Sequence, residues 1–189
     1  MKILVAYYSE TGNTAKVAEA IGESLAAGGH EADLVALADA APPGEIMPGT
    51  LDAYDLVFLG SACHDADLAR PVKEFLERIP ASSAFKLAGF VTHASYTPEG
   101  GDRQQQAHKI WVSRCAQSLR QASQEKGIDF LGYYGCQGTP SPPIEQFIHN
   151  NIVADEDEWQ EYIQEARRHP DAEDLRTARD FAQAVLARF

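Results

Sequence analysis

The chain has 189 residues, 44% of them apolar, so it is long enough to bury a full hydrophobic core as one domain. Its 16 Lys and Arg residues against 28 Asp and Glu residues give a formal net charge of −12, which argues against binding to nucleic acid or to an anionic membrane. No apolar run approaches the roughly 18 residues of a membrane span, and three scattered cysteines indicate neither a disulfide framework nor a zinc site. We therefore expect a cytoplasmic protein whose partner presents a basic face.

The first predicted elements are a strand, a hydroxyl-rich turn and a helix. Residues 1–7 form a short apolar run, residues 8–14 read Tyr-Ser-Glu-Thr-Gly-Asn-Thr, and a helical pattern covers 13–27. At the start of a helix, backbone N–H groups lack partners and the peptide dipoles leave partial positive charge. The turn is therefore placed where a protein can bind an anion.

The composition of this turn favours a phosphate bound by neutral donors. Ser9, Thr11 and Thr14 supply three hydroxyl groups, whereas an ordinary helix cap needs only one. Gly12 permits a positive φ and lets the backbone approach a ligand closely. Residues 8–14 contain no Lys or Arg, and they match neither a nucleoside-triphosphate loop nor a dinucleotide-binding motif. An ordinary capped turn is the alternative interpretation.

The rest of the chain alternates predicted strands and helices. Strands are predicted at 31–37, 55–60, 87–93 and 128–136. Helices are predicted at 71–79, 104–126, 144–151, 156–168 and 172–188. A Pro/Gly loop is predicted at 42–49 and a Pro-rich turn at 139–143. This alternation predicts an α/β fold with a parallel sheet covered on both faces. A first strand that carries an anion loop belongs near the centre of the sheet, so the predicted strand order is 2-1-3-4-5.

With these motifs the chain resembles a flavodoxin. The resemblance rests on the S-x-T-G-N-T loop at 9–14, on Asp55–Ser61 as a third strand opening into a loop, and on Leu87–Tyr96 as a fourth strand doing the same. It implies a flavodoxin-like, doubly wound, five-stranded parallel sheet over residues 1–138. Residues 139–189 are then a C-terminal helical extension packed on the same domain.

The resemblance also implies a cofactor, flavin mononucleotide (FMN), held by three loops. The first loop would bind the phosphate and the other two would enclose the isoalloxazine ring. Carried over, the cofactor-binding residues are Ser9, Glu10, Thr11, Gly12, Asn13 and Thr14, then Ser61, Ala62, Cys63 and His64, and finally Ala94, Ser95 and Tyr96. Among them Tyr96 is the expected aromatic stack on the flavin.

The run Cys63-His64-Asp65 also suggests a nucleophile or a metal site. A nucleophile needs an oriented base, and a metal needs three or four converging ligands. The spacing indicates neither, so we interpret the run as polar loop residues that line the flavin, with no catalytic or metal-binding residue assigned.

The function implied is that of a flavodoxin-like, FMN-binding electron-transfer protein with a redox partner. The alternative is an FMN-dependent oxidoreductase of the NAD(P)H:quinone type, and a third possibility is a binding module without flavin. Net acidity favours the carrier, whereas a flavin face left uncovered by aromatic rings favours the enzyme. Trp159 and Tyr162, on a late helix, are predicted to be docking contacts.

Overall fold

The architecture is that of a parallel sheet between two layers of helices. The computed structural model describes residues 1–37 and 48–189. Most of the predicted loop at 42–49 lies outside these residues, and a 3₁₀ helix covers Pro48–Ala53.

Strands and helices alternate along the described residues, as predicted. The strands are β1 (Lys2–Tyr7), β2 (Glu31–Ala36), β3 (Leu56–His64), β4 (Asp67–Leu68), β5 (Lys86–His93) and β6 (Phe130–Gln137). The helices are α1 (Asn13–Ala27), α2 (Arg70–Arg78), α3 (Asp102–Trp111), α4 (Ser113–Lys126), α5 (Pro142–Asn151), α6 (Glu156–Ala166) and α7 (Ala172–Leu186).

Five parallel strands form the sheet in the order β2-β1-β3-β5-β6. This confirms the predicted 2-1-3-4-5 order. Residues 3–6 of β1 and 56–61 of β3 are buried throughout, as expected for central strands covered on both faces, whereas β2 at the edge is partly exposed.

Each face of the sheet is covered by two helices. Helices α2 and α4 cover one face, where Val72 and Leu119 pack against Leu4 and Leu59. Helices α1 and α7 cover the other face. Because Ala178, Ala182 and Val185 of α7 belong to this second core, the last helix is an integral part of the sheet's packing.

A smaller core forms between α5, α6 and the segment after β5. Trp159 and Tyr162 are buried in it, with 8% and 6% of their surface exposed, together with Ile148 of α5. The prediction that these two aromatic residues are docking contacts was therefore wrong. The amphipathic face of α6 carries them inward, against the protein itself.

Two segments depart from the predicted elements. The helix predicted at 104–126 is divided at Val112, which is buried and has φ −131° and ψ −38°. The predicted loop at 61–65 is instead the end of β3 and a turn to the antiparallel strand β4. Asp65 and Ala66 form this turn with φ of 50° and 61°, the left-handed conformation of tight hairpins.

Among the residues that the structure describes, no helix combines the length and apolarity required to cross a membrane.

The junction between α6 and α7 is held by side-chain caps and a histidine. Asp171 accepts hydrogen bonds from the N–H groups of Glu173 and Asp174, and the Asp174 carboxylate bonds the ring of His169. Burial lowers the pKa of His169, but its contacts with Asp174, Asp171 and Glu165 outweigh burial and raise it above the ordinary value. Protonated His169 therefore stabilises this junction.

The close approach of β3 and β5 depends on Gly60. A Cβ at this position would lie 2.2 Å from Cζ of Phe90, its partner in the parallel register. We expect Gly60→Ala to lower the free energy of unfolding by about 1–3 kcal/mol, because the buried ring must move. Phe90→Leu should relieve part of this cost, so denaturation of the two single variants and the double variant should reveal a favourable coupling. Strict additivity would contradict the predicted clash.

The raised pKa of His169 predicts a pH-dependent contribution to stability. The contribution is fully present below the unfolded-state pKa of about 6.5 and is lost as the pH rises through the higher folded-state pKa. The difference in free energy of unfolding between wild type and His169→Gln should therefore be larger at pH 5.5 than at pH 9. In an Asp174→Asn background this pH dependence should shrink. An equal difference at both pH values would contradict the assignment.

Candidate functional site

A cavity of about 370 Å³ lies where the carboxyl ends of the parallel strands meet. This volume is within the usual range of small-molecule sites. The lining residues are Glu10, Thr11, Asn13, Ala62, Cys63, His64, Asp65, Thr92, His93, Ala94, Gly138, Thr139, Pro140, Ser141, Pro143 and Ile144. Seven of the predicted cofactor residues are therefore in the wall: Glu10, Thr11, Asn13, Ala62, Cys63, His64 and Ala94.

The first loop contains an unused hydroxyl beside a helix start. Ser9 Oγ is buried and has no hydrogen-bond partner among the described residues. Gly12, with φ 88°, is the N-cap of α1 and supplies no side-chain cap. Buried polar atoms in folded proteins are nearly always paired, so we expect a ligand atom to form a hydrogen bond with the Ser9 hydroxyl.

Asn13 joins the first loop to the segment after β6. Its Nδ2 donates to Oγ1 of Thr11 at 2.9 Å and to the backbone oxygen of Thr139 at 2.8 Å. A Cβ at Gly138 would lie 2.8 Å from the same nitrogen, so only glycine allows this approach. Asn13 thus holds two walls of the cavity together.

Thr14 makes a buried contact with the end of β5. Its hydroxyl lies 2.8 Å from the hydroxyl of Thr92, and both residues are less than 5% exposed. Thr92, rather than Thr14, is part of the cavity wall. A direct bond from Thr14 to a phosphate remains a prediction.

The β3–β4 hairpin forms the second wall. Nε2 of His64 lies 3.3 Å from Oε2 of Glu10, and its ring meets Tyr8 edge to face with centroids 5.9 Å apart. These contacts connect the hairpin to the first loop. Ser61 has another role, because its buried hydroxyl accepts the N–H of Ala69 and donates to the backbone oxygen of Ala62.

The third wall presents a neutral imidazole to the cavity. His93 is 4% exposed, and burial, reinforced by nearby His108, lowers its pKa to about 3. Nδ1 lies 3.2 Å from the backbone oxygen of Ser95, so this nitrogen carries the proton and Nε2 keeps a lone pair. His93 is therefore uncharged at neutral pH.

Tyr96 lies outside the cavity. Its ring packs against Tyr162 with centroids 5.1 Å apart, and its hydroxyl donates to Glu158 at 2.8 Å. It lines a separate space of about 270 Å³, so this geometry does not support the predicted stacking on a flavin. Ser95, also assigned to the third loop, is buried and its Oγ has no partner among the described residues.

The fourth wall, the connection from β6 to α5, was not predicted from the sequence. It contributes Gly138, Thr139, Pro140 and Ser141, followed by Pro143 and Ile144 of the helix. Thr139 is held through its N–H and its hydroxyl, which both donate to the backbone oxygen of His169 at 2.8 Å. The available signal was the strand order itself, because the carboxyl end of β6 meets the same edge of the sheet.

The lining residues contain the carboxylates of Glu10 and Asp65 but no Lys or Arg. A phosphate in this cavity would thus be held by hydroxyl and backbone donors. Three features of the first loop suit a phosphate: the unpaired Ser9 hydroxyl, the positive φ of Gly12 and the uncapped start of α1. The ring portion of a flavin would meet the imidazoles of His64 and His93 but no larger aromatic ring among the lining residues.

Comparison with known proteins agrees with the fold. The flavodoxin domain family matches residues 4–183. An uncharacterized protein of Methanocaldococcus jannaschii is 24% identical over 191 residues, covering 98% of this chain and 99% of that protein. Oxidised Flavodoxin 2 from Bacillus cereus superposes over 100% of both chains with a TM-score of 0.65 and 22% identity. A flavodoxin, WrbA-like protein from Agrobacterium tumefaciens covers 99% of this chain and 97% of its own with a TM-score of 0.58 and 18% identity. Because the family match spans nearly the whole sequence, the chain belongs to the flavodoxin domain family.

Proposed function

We propose that this protein binds FMN in the cavity at the carboxyl edge of the sheet and transfers electrons to a partner protein. The observation that carries the proposal is the buried, unpaired hydroxyl of Ser9 beside the uncapped start of α1. A phosphate would satisfy both the hydroxyl and the free backbone N–H groups.

Each wall of the cavity has a part in this proposal. Ser9 and Thr11 hold the phosphate through their hydroxyl groups, and Asn13 keeps the loop in position through Thr139. The hairpin residues around His64 and the segment around His93 enclose the ring. FMN, when bound, supplies one-electron and hydride-transfer chemistry. The protein orients the cofactor and excludes water from it.

The surface beside the cavity supports a docking role. Ile144, at the cavity wall, and Phe147, one turn later on α5, are 44% and 41% exposed. Phe147 meets Trp111 edge to face with centroids 5.4 Å apart. This apolar surface on a chain of net charge −12 suits a partner that has a basic rim around an apolar contact. Since all three cysteines are free thiols, we place the activity in a reducing compartment such as the cytoplasm.

The second candidate function is an FMN-dependent NAD(P)H:quinone-type oxidoreductase. The absence of a tyrosine or tryptophan among the lining residues supports it, because a substrate ring could then lie against the flavin. The lack of Lys and Arg in the same lining argues against a site for a nicotinamide phosphate. We therefore favour the carrier.

The phosphate assignment predicts selective loss of FMN affinity. Ser9→Ala and Thr11→Ala should each weaken FMN binding by about 1–3 kcal/mol, because each removes a hydrogen bond to a charged group. That is roughly 5- to 150-fold in Kd. Riboflavin, which lacks the phosphate, should bind wild type more weakly than FMN does. Its affinity should be the same for wild type and for both variants. Fluorescence titration measures both ligands.

Two controls separate a ligand-binding role from a structural one. Thr97→Ala removes a hydroxyl at the other cavity and should leave FMN affinity unchanged. Ser9→Ala should not lower the free energy of unfolding of the apoprotein, because its hydroxyl has no partner there. Equal affinities of wild type for FMN and riboflavin would refute the phosphate site.

The carrier and enzyme functions predict different reduction kinetics. In anaerobic stopped-flow experiments, a carrier is reduced slowly by NADH or NADPH alone and rapidly once a flavoprotein reductase is added, with a rate that falls as salt rises. Phe147→Ala should slow the reductase-dependent reaction, whereas Phe189→Ala, which removes another exposed ring at Lys86, should not. Rapid, saturable reduction by the nucleotide alone would favour the enzyme.

A further inference from the structure

Two cysteine sulfurs are in contact at the edge of the cavity. Sγ of Cys63, on β3, lies 3.3 Å from Sγ of Cys115, on α4. Cys63 is half-buried and belongs to the cavity wall, whereas Cys115 is fully buried in the core beneath it. Both are free thiols. One sulfur is thus next to the open cavity and the other is protected behind it.

The break between α3 and α4 lies beside this contact and frees a backbone oxygen for Cys63. In a continuous helix the N–H of Cys115 would donate to the backbone oxygen of Trp111. Here it donates to the backbone oxygen of Val112 at 3.0 Å. The oxygen of Trp111 instead accepts a hydrogen bond from Sγ of Cys63 at 3.2 Å.

A second contact fixes the hairpin against the helix that carries Cys115. Oγ of Ser118, one turn further along α4, donates to Oδ1 of Asp67 at 2.7 Å. Asp67 is also 2.9 Å from Nζ of Lys73. These contacts hold the hairpin that carries Cys63 against the helix that carries Cys115.

The two thiols are chemically different. Sγ of Cys115 is the donor in the contact and Sγ of Cys63 is the acceptor. The hydrogen bond with Cys63, together with burial, raises the pKa of Cys115. Cys115 therefore keeps its proton, whereas Sγ of Cys63 borders the cavity and donates its proton to the backbone oxygen of Trp111. Because Cys63 borders the cavity and Cys115 is fully buried, Cys63 is the attacking thiol of the pair and Cys115 is the resolving thiol.

We propose that Cys63 and Cys115 form a redox-active dithiol site that reduces hydroperoxides. The sulfur of Cys63 attacks one oxygen of hydrogen peroxide, so that an S–O bond forms, the O–O bond breaks, and the leaving hydroxide takes up the proton released by the Cys63 thiol and becomes water. Cys63 is then a sulfenic acid.

The sulfur of Cys115 next attacks the sulfur of Cys63. The S–S bond forms, the S–O bond breaks, and the oxygen leaves as water with the proton of Cys115. In total, two thiols and one hydrogen peroxide give one disulfide and two waters, with two electrons passing from sulfur to peroxide. The sulfurs must approach by about 1.3 Å from their 3.3 Å separation to reach the bond length of a disulfide.

The third cysteine provides a matched control. Cys136 is 3% exposed and belongs to the core on the opposite face of the sheet, with α1 and α7. Cys63 and Cys115 pack in the other core. Cys136→Ser therefore removes a buried thiol without touching the pair.

Thiol counting and peptide mapping of the 189-residue chain test the proposal. After a stoichiometric dose of hydrogen peroxide, wild type should lose two of its three thiols, and Cys136→Ser should lose both of its remaining two. The digest should contain a Cys63–Cys115 disulfide that a reductant cleaves. Cys63→Ser should lose none, and Cys115→Ser should accumulate a sulfenic acid at Cys63 that dimedone traps. Thermal unfolding of each variant establishes that it is folded before it is oxidised.

Three results would overturn the proposal. They are disulfide-linked dimers without an intramolecular bond, dimedone labelling of Cys136 in place of Cys63, and a wild type that keeps all three thiols at this dose. The experiment uses the chain without added flavin, so its outcome is independent of whether the protein binds FMN.

Discussion

The parallel register of β1, β3 and β5 brings the chemically important segments of this protein to one place. Tyr7 is paired with Gly60, and Gly60 with Phe90, so the three strands reach the same edge of the sheet at nearly the same level. The ring of Phe90 covers Gly60 where a Cβ would otherwise lie. The first loop, the hairpin and the segment after β5 consequently leave the sheet side by side and enclose a cavity.

Long-range hydrogen bonds then set the shape of this cavity. Asn13 connects the first loop to Thr139, and Thr139 in turn bonds the backbone oxygen of His169 between α6 and α7. The helices at the end of the sequence therefore support the wall opposite the hairpin. The residue whose protonation stabilises the junction therefore also holds, through its backbone oxygen, the segment that lines the cavity.

The two proposed redox sites lie at the same edge of the sheet. The unpaired hydroxyl of Ser9 marks a site suited to phosphate, and the neutral imidazole of His93 faces the space beside it. The sulfurs of Cys63 and Cys115 lie at the hairpin wall of that space. The proposed flavin site and the proposed dithiol site therefore share the hairpin wall through Cys63, whereas Ser9 belongs to the first and Cys115 to the second.

The sequence by itself determined the alternation of strands and helices, because periodicity and turn chemistry act over a few neighbouring residues. Right-handed crossovers leave few topologies, so the order of the five parallel strands followed as well. The sequence also predicted an anion site at residues 9–14, which the unpaired hydroxyl of Ser9 and the uncapped start of α1 support. It did not predict the β3–β4 hairpin, since Asp65 and Ala66 adopt positive φ without the glycine or asparagine that usually announces such a turn. Nor could it assign a partner to Tyr96, whose ring packs on Tyr162, 66 residues away. The contact between Cys63 and Cys115, 52 residues apart, was equally hidden. Only the tertiary structure decided these features, because a side chain's direction at the end of a strand depends on which distant element has room to receive it.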